Sequence, residues 1–481
     1  IQRNDAEGNL RQHILIENLA TSLSEKILEE DRDALMTDAA QLPENAVMAL
    51  HYWAEGKITE AHACIKEELE AAEDQKAKDS LLHRVSRMLI HRGIIHGDTG
   101  ETQRAISDYT AVIELPNSRI DQVALALISR GATFALNSAS DLAFTDFSRV
   151  INLARVSEEL LVWAYLCRGA AQSDLGNNQQ SVLDFSNVIS MENISLDCLA
   201  RAMYNRGVAY SKLSDQYRAI DDYSAVICLP KAPIVLIAMS YLNRGVLYGD
   251  IGETNLAISD YSTLINLASA PIDQIAKALH NRASIHLKHG QKEKAQVDYE
   301  SLLKLENLAP TILAEAHLGL SELHFREGCW NEGFKSLESS LQNGDREQPA
   351  YRATATDLID VIFSAGLSLE GRSEKVAELL SLYQKYQALP VLGESVIQQI
   401  GSLYRSGEPF PSSDNLEGWK SAWEKEAESV PDFRLSIRLL STSISFLKAG
   451  GKDRSILLDL ASTERSIVEQ ALGRSEEHTS E

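Results

Sequence analysis

Residues 195–230 read SLDCLARAMYNRGVAYSKLSDQYRAIDDYSAVICLP, and this stretch contains the pattern that decides the fold. The pair Arg206-Gly207 is followed by Asp222-Tyr223, and both pairs recur along the chain every 38 residues. The recurring arginines are Arg92, Arg130, Arg168, Arg206, Arg244 and Arg282, and the recurring aspartates are Asp108, Asp146, Asp184, Asp222, Asp260 and Asp298. Copies in one register predict an array of repeated units and not a globular enzyme core.

Each copy predicts two helices joined by a turn. Ser195 is a suitable N-cap for a first helix, and apolar residues return at helical spacing up to Tyr210. A second helix follows and is expected to stop at Pro230. In four copies a glycine lies eight residues after the recurring arginine, where a left-handed C-cap of the first helix is expected. These glycines are Gly100, Gly176, Gly252 and Gly290.

The glycine after each arginine, here called the anchor glycine, indicates close helix packing. Glycine within a helix costs about 1 kcal/mol relative to alanine, so its return in five copies requires a compensating contact. We expect it to face the small residue twelve positions later, which is Ala105, Ala143, Ser181, Ala219, Ala257 or Ala295.

Gly207, Tyr210, Ala219, Tyr223 and Pro230 together resemble the tetratricopeptide repeat. The resemblance implies an all-α, right-handed α-solenoid of helix-turn-helix repeats. That family usually has a 34-residue unit, whereas the spacing here is 38 residues. Four residues are about one helical turn, so we expect a first helix lengthened by a turn, as over residues 272–279.

The regular spacing also predicts the domain organisation. Five segments are expected: an acidic helical region with one degenerate repeat (1–79), six regular repeats (80–305), degenerate helical repeats (306–389), an irregular helical region (390–473) and a sequencing-adapter scar (474–481). Because the chain opens on Ile1 and not on methionine, we interpret it as a fragment of a longer protein.

Composition restricts the partner class. A formal charge of −23 argues against a nucleic-acid ligand, which requires a basic surface. No apolar stretch reaches the length of a membrane span, so no membrane contact is expected. Five widely spaced cysteines favour a reducing, cytoplasmic location, although a signal peptide before Ile1 stays open.

The recurring arginines and aspartates are interpreted as a structural ladder. A ligand seldom needs the same charge pair in every unit, whereas a stacking contact does, so each arginine is expected to bind an aspartate through charge-assisted hydrogen bonds. The histidines show no metal-ligand spacing, and no phosphate loop or catalytic grouping stands out. We therefore expect no metal, no cofactor, no small-molecule substrate and no enzymatic activity.

The resemblance also implies a ligand site, because in this family the first helices line a concave groove. The positions that correspond to groove contacts are Trp163, Arg201, Tyr204, Lys212, Lys277, His280 and Lys288. Trp163 and Tyr204 are the expected anchors, and the basic side chains favour an acidic partner. The alternative is that these are ordinary solvated helix positions. The lysine-and-asparagine clamp of some co-chaperones is absent, which disfavours a chaperone adaptor.

These expectations lead to two functional hypotheses. The first is a non-catalytic scaffold that binds a protein or peptide partner in the groove. The second is the sensor or regulatory region of a larger enzyme, since long repeats of this kind are similar to the arrays of bacterial STAND-type signalling ATPases.

Overall fold

The fold is all-α in a computed structural model that describes residues 42–343 and Leu382. These residues form sixteen helices and no strand. The helices are α1 Glu44–Ala54, α2 Ile58–Ala71, α3 Gln75–Asp98, α4 Thr102–Glu114, α5 Ile120–Leu136, α6 Ser140–Ile151, α7 Glu158–Asp174, α8 Asn178–Ile189, α9 Leu196–Lys212, α10 Gln216–Cys228, α11 Ile234–Asp250, α12 Thr254–Ile265, α13 Ile272–Lys288, α14 Lys292–Leu303, α15 Pro310–Arg326 and α16 Trp330–Asn343.

The helix boundaries follow the 38-residue spacing. From α5 onward the first helices begin at residues 120, 158, 196, 234, 272 and 310, and each has 17 residues. The expected N-cap is confirmed, because Ser195 Oγ accepts a hydrogen bond of 3.1 Å from the Cys198 backbone N–H. The helix-turn-helix fold class predicted from the sequence is thus confirmed.

The chain divides into two compact units, residues 1–253 and residues 254–481. In the described part of the first unit, α5, α7 and α9 each pack against the second helix of their own hairpin and against the second helix of the preceding hairpin. Its apolar core runs continuously from Ala46 to Ala202. In the described part of the second unit, α12 precedes the hairpins α13–α14 and α15–α16, and a core around Tyr299 joins these two hairpins.

Each repeat contains two backbone positions in the left-handed region. The first lies just after the first helix, where the expected glycine C-caps have φ between +70° and +86°. Ser138 and Ser214 take the same conformation in the copies without glycine, with φ of 61°. The second position precedes the next first helix and is never glycine: Asn117, Arg155, Asn193, Lys231, Ser269 and Asn307. This second position was not predicted, because no single residue type marks it.

The contact of the anchor glycine differs from the prediction. A Cβ atom at Gly93 would lie 2.6 Å from Tyr109 Cε1, and one at Gly207 would lie 2.9 Å from Tyr223 Cε1. The nearest atoms therefore belong to the aromatic ring sixteen positions on, and not to the small residue twelve positions on. The edge of the ring therefore packs against the bare backbone of the glycine, which explains why aromatic residue and glycine recur together.

Helical hairpins also occur where the sequence signature is weak. Gly56 lies between α1 and α2 and has φ of 74°. The hairpin α15–α16 keeps the 38-residue step, although Leu320 and Ser336 replace the ladder arginine and aspartate. The predicted domain boundaries stay predictions, and the segments expected in 1–41, 344–381 and 383–481 lie outside the described residues.

Candidate functional site

The ladder residues of five hairpins contact each other directly. Arg206 Nε and Nη2 donate to the two carboxylate oxygens of Asp222 at 2.9 Å and 2.7 Å. The same two-point contact joins Arg92 to Asp108, Arg130 to Asp146, Arg168 to Asp184 and Arg282 to Asp298. All six aspartates are buried, with 2–6% of their surface exposed. The carboxylates are therefore bound inside the protein and are not presented to a ligand.

From Arg130 onward, each ladder arginine also donates to a hydroxyl group. Arg206 Nη1 donates to Ser186 Oγ at 3.1 Å, on the second helix of the preceding hairpin. The corresponding acceptors are Thr110 for Arg130, Ser148 for Arg168, Ser224 for Arg244 and Ser262 for Arg282. Sequence reasoning missed this partner, although a serine or threonine stands two residues after each of the first five aspartates.

The ladder changes at its ends. Arg92 Nη1 donates to the backbone oxygen of Leu50 in α1, at 2.6 Å, because no preceding hydroxyl is available. At the other end Glu300 stands where the hydroxyl would be, and Leu320 stands where the next arginine would be. The ladder of contacts therefore begins and ends where the recurring arginines and aspartates of the sequence begin and end.

The pairing stabilises the charged form of Arg168 and Arg206. Hydrogen bonding to Asp184 and Asp222 raises the pKa of Arg168 and Arg206 above the ordinary arginine value, although burial opposes the rise. Arg244 belongs to the first unit and Asp260 to the second, so their pairing stays a prediction.

The two expected aromatic anchors lie inside the protein. Only 5% of Trp163 and 4% of Tyr204 is exposed. The hydroxyl of Tyr204 accepts a hydrogen bond of 3.0 Å from Asn243 Nδ2 on α11. Both side chains therefore contribute to packing between hairpins, and their expected role as ligand anchors does not fit this burial.

The basic groove positions of the first unit have partners within the protein. Arg201 Nε donates to Asp197 Oδ2 at 2.8 Å, one turn earlier on α9. Lys212, the last residue of α9, donates from Nζ to Ser173 Oγ on α7 at 2.8 Å. Burial of the ammonium group lowers the pKa of Lys212 to about 8, although nearby Asp174 opposes the shift.

The second unit presents its predicted groove residues along one face of α13. Lys277, His280, Ser284 and Lys288 recur at three- and four-residue steps, which places them in one row. Lys288 is exposed and Lys277 is half-buried. The His280 ring packs edge-on against Tyr299, with ring centroids 6.0 Å apart. Within the described residues, neither lysine forms a hydrogen bond or an ion pair with another side chain.

Two further histidines, His286 and His96, have polar partners. His286 Nδ1 lies 2.9 Å from Gln291 Oε1, and burial lowers the pKa of His286 although Asp298 opposes that shift. His96 Nδ1 lies 2.6 Å from Glu101 Oε2. In residues 42–343 no three histidine, cysteine, aspartate or glutamate side chains converge as metal ligands.

Comparison with known proteins identifies the repeat type. Residues 276–307, which include the whole row on α13 and all of α14, match the family described as tetratricopeptide repeat. No curated protein matches the chain. Among the described helices, none is both long enough and apolar enough to cross a membrane.

Several solved structures are similar to the chain at low identity. The quorum sensor NprR from B. thuringiensis, in its apo form, is 15% identical with a TM-score of 0.42, and the match covers 72% of this chain and 94% of NprR. A tetratricopeptide repeat protein from Parabacteroides merdae is 17% identical with a TM-score of 0.34, covering 62% and 99%. MamA is 20% identical with a TM-score of 0.31, covering 36% and 92%.

Proposed function

We propose that this chain, whose 38-residue unit is a tetratricopeptide repeat, is a non-catalytic scaffold that binds an acidic protein or peptide partner on the first helices of its hairpins. The observation that carries the proposal is the row of Lys277, His280, Ser284 and Lys288 on α13. The two lysines are cations without an ion-pair partner in the described part of a chain that has a formal charge of −23.

The contrast with the ladder supports this assignment. Arg282, like the other paired ladder arginines, donates to both carboxylate oxygens of one aspartate, here Asp298. These side chains hold the hairpins together and are not available to a ligand. The residue types at the positions of Lys277 and Lys288 change from copy to copy. The equivalent residues are Arg201 and Lys212 on α9, and Trp163 and Asp174 on α7. Variation on a constant frame is the arrangement that a recognition surface needs.

The chemistry of the row indicates what the partner offers. The Cα positions of Lys277 and Lys288 are eleven residues apart on the helix, which is about 16 Å at 1.5 Å per residue. A partner with two carboxylates separated by a similar span would pair with both. Charge complementarity of this kind raises association rate and specificity, and it weakens as salt is added.

The proposed non-catalytic role is consistent with the contacts of several buried polar side chains in the described residues, which have partners within the protein. Five of the six buried ladder aspartates are bound by arginine. His286 lies against Gln291, and burial lowers the pKa of His286.

The five cysteines support a reducing, cytoplasmic location as part of this proposal. All five are free thiols, and Cys167 and Cys198 are buried. Burial raises the pKa of the Cys167 thiol to about 12, so this group stays protonated and chemically inert at neutral pH.

A peptide selection tests the proposed partner class. Random 15-residue peptides displayed on phage are selected against the full chain at low salt, and we expect the recovered peptides to be enriched in aspartate and glutamate. Their affinity for the double variant Lys277→Glu/Lys288→Glu should fall at least tenfold. The matched control Lys292→Glu/Lys294→Glu makes the same charge change on α14 and should retain binding. Peptides without acidic enrichment, or equal loss in both variants, would contradict the proposal.

A further inference from the structure

The first unit exposes apolar side chains where the turns of two successive hairpins lie side by side. Helices α3 and α5 pack against each other and end at Asp98 and Leu136, which are equivalent positions of their hairpins. Ile95 lies one turn before the end of α3, and Leu142 lies in the first turn of α6. The exposed fractions of Ile95, Leu136 and Leu142 are 54%, 40% and 53%. With Asp98, Glu101 and Asp141, these side chains form a surface that we call the acidic patch.

Two of the three carboxylates in the acidic patch have no cation beside them. Glu101 accepts a hydrogen bond of 2.8 Å from Arg104 Nη1. Asp98 and Asp141 are exposed, and neither forms an ion pair with another side chain of the described residues. A binding partner for this patch therefore has to offer both positive charge and apolar surface.

The second unit has a turn of the opposite charge. The turn between α13 and α14 contains Lys288, His289, Lys292 and Lys294. Lys288 is the residue equivalent to Asp98, five copies later. Lys294 is exposed, and its Nζ donates to the neutral amide of Gln291 at 3.2 Å. Val297 follows one turn later on α14, and 60% of its surface is exposed. We call these four basic residues and Val297 the basic turn.

We propose that the acidic patch of one copy of this chain binds the basic turn of a second copy. The two surfaces are opposite in charge, and each combines its charges with exposed apolar side chains. In the contact, lysines of the basic turn pair with Asp98 and Asp141, while Val297 is removed from water against Leu136 and Leu142.

The overall charge makes this complementarity necessary for self-association. A formal charge of −23 repels one copy from another, so two copies associate only where a basic surface meets an acidic one. Because the two surfaces belong to different units, the contact joins the first unit of one copy to the second unit of another. The inference does not depend on the proposed function, and its test leaves Lys288 of the row on α13 unchanged.

Self-association should respond to concentration, salt and an apolar substitution. It should increase with protein concentration and weaken as salt is added, because exposed charges are screened beyond about 10 Å at 0.1 M salt. Leu142→Ser should also weaken it, with an unchanged melting temperature, since this side chain is exposed in the single chain.

Charge reversal on either surface should abolish self-association. The two variants are Asp98→Lys/Asp141→Lys in the acidic patch and Lys292→Glu/Lys294→Glu in the basic turn. The matched control Glu114→Lys/Glu192→Lys changes two exposed glutamates near the ends of second helices, on the opposite edge of the hairpins. This control should associate as the unmodified chain does.

Mixing the two charge-reversed variants tests the proposal most sharply. Sedimentation velocity of the full chain is measured at low salt for each variant alone and for an equimolar mixture, and circular dichroism melting checks that both variants are folded. Each variant alone has like charges on its two surfaces and should sediment as a single chain. In the mixture, the intact acidic patch of one variant meets the intact basic turn of the other, so association should return.

Three results would overturn the proposal. The first is an unmodified chain that sediments as a single chain at every concentration at low salt. The second is self-association that survives both charge reversals. The third is a mixture of the two folded variants that sediments like either variant alone, because the two surfaces would then not bind each other.

Discussion

At the scale of single residues, the ladder depends on the shape of arginine. One guanidinium group binds both oxygens of an aspartate in its own hairpin and a hydroxyl of the preceding hairpin, as Arg206 does with Asp222 and Ser186. Lysine has a single charged nitrogen on a flexible stem and cannot reproduce this planar, three-point contact. The requirement explains why arginine returns in all six copies without replacement by lysine.

The first prediction concerns the coupling of this pair. Arg206→Gln should lower the free energy of unfolding by about 3 kcal/mol, because it leaves the Asp222 carboxylate buried without its cation. Asp222→Asn should also destabilise the protein, and the double variant should lose less than the sum of the two. Urea denaturation followed by circular dichroism measures all three variants. Additive losses would show that the two side chains are not coupled.

The second prediction concerns the anchor glycine. Gly207→Ala places a Cβ atom 2.9 Å from Tyr223 Cε1 and 3.3 Å from Asp222 Cβ, so the ring has to move. We expect a loss of about 1–3 kcal/mol by thermal or urea denaturation, which outweighs the better helix propensity of alanine.

Gly249 near the end of α11 is the matched control for this substitution. A Cβ atom there meets nothing within 4 Å, so Gly249→Ala should stabilise the protein by up to about 1 kcal/mol. If both substitutions stabilise, close packing does not explain the anchor glycine.

The sixth copy shows how the fold accommodates alanine at this position. Ala283 replaces the anchor glycine, and Tyr299 then lies against Gly319 of the next first helix. In the fourth copy the residue that corresponds to Gly319 is Asn243, which is hydrogen-bonded to Tyr204. A single alanine at position 207 therefore lacks the accompanying change that the sixth copy contains.

At the scale of helices and turns, the turn after each first helix imposes one backbone conformation on several residue types. Gly176, Ser214 and Gly252 are equivalent, and all have positive φ. Glycine adopts this region without steric cost, whereas serine pays for the crowding of its Cβ atom.

The third prediction is that Ser214→Gly stabilises the protein by about 0.5–1 kcal/mol, because it removes this crowding. The opposite sign is expected for Ser211→Gly, one turn earlier within α9, where glycine should cost about 1 kcal/mol. Melting temperatures of the two variants, compared with the unmodified chain, give the signs. A loss of stability in Ser214→Gly would contradict the role assigned to the turn.

The helices could be predicted because their signals are local. Periodic apolar residues, Ser195 at a helix start and Pro230 after a helix end act within a few residues of the chain. The partner of the anchor glycine and the hydroxyl of Ser186 could not be assigned in the same way, because these contacts depend on how neighbouring helices lie against each other. The burial of Tyr204 has the same origin, since α11 covers it.

At the scale of the whole molecule, the sequence divides into positions that recur and positions that vary. In the described residues of both units, the recurring ones make buried contacts within and between hairpins. The varying ones include the row on α13, where two lysines lack ionic partners in the described part of the chain. Our central claim is that the first group holds the stack and the second group recognises the partner.

The fourth prediction tests that claim most directly, with a paired mutational scan of residues 272–303. Each single variant of the full chain is displayed on yeast, and protease resistance and binding of a selected acidic peptide are read in parallel. Substitutions at Arg282, Asp298 and Tyr299 should reduce protease resistance, and binding should fall only with it. Charge-reversing substitutions at Lys277 and Lys288 should reduce binding at least fivefold with stability unchanged within about 0.5 kcal/mol. The account is contradicted if the ladder variants lose binding while they stay resistant, or if the lysine variants bind as well as the unmodified chain.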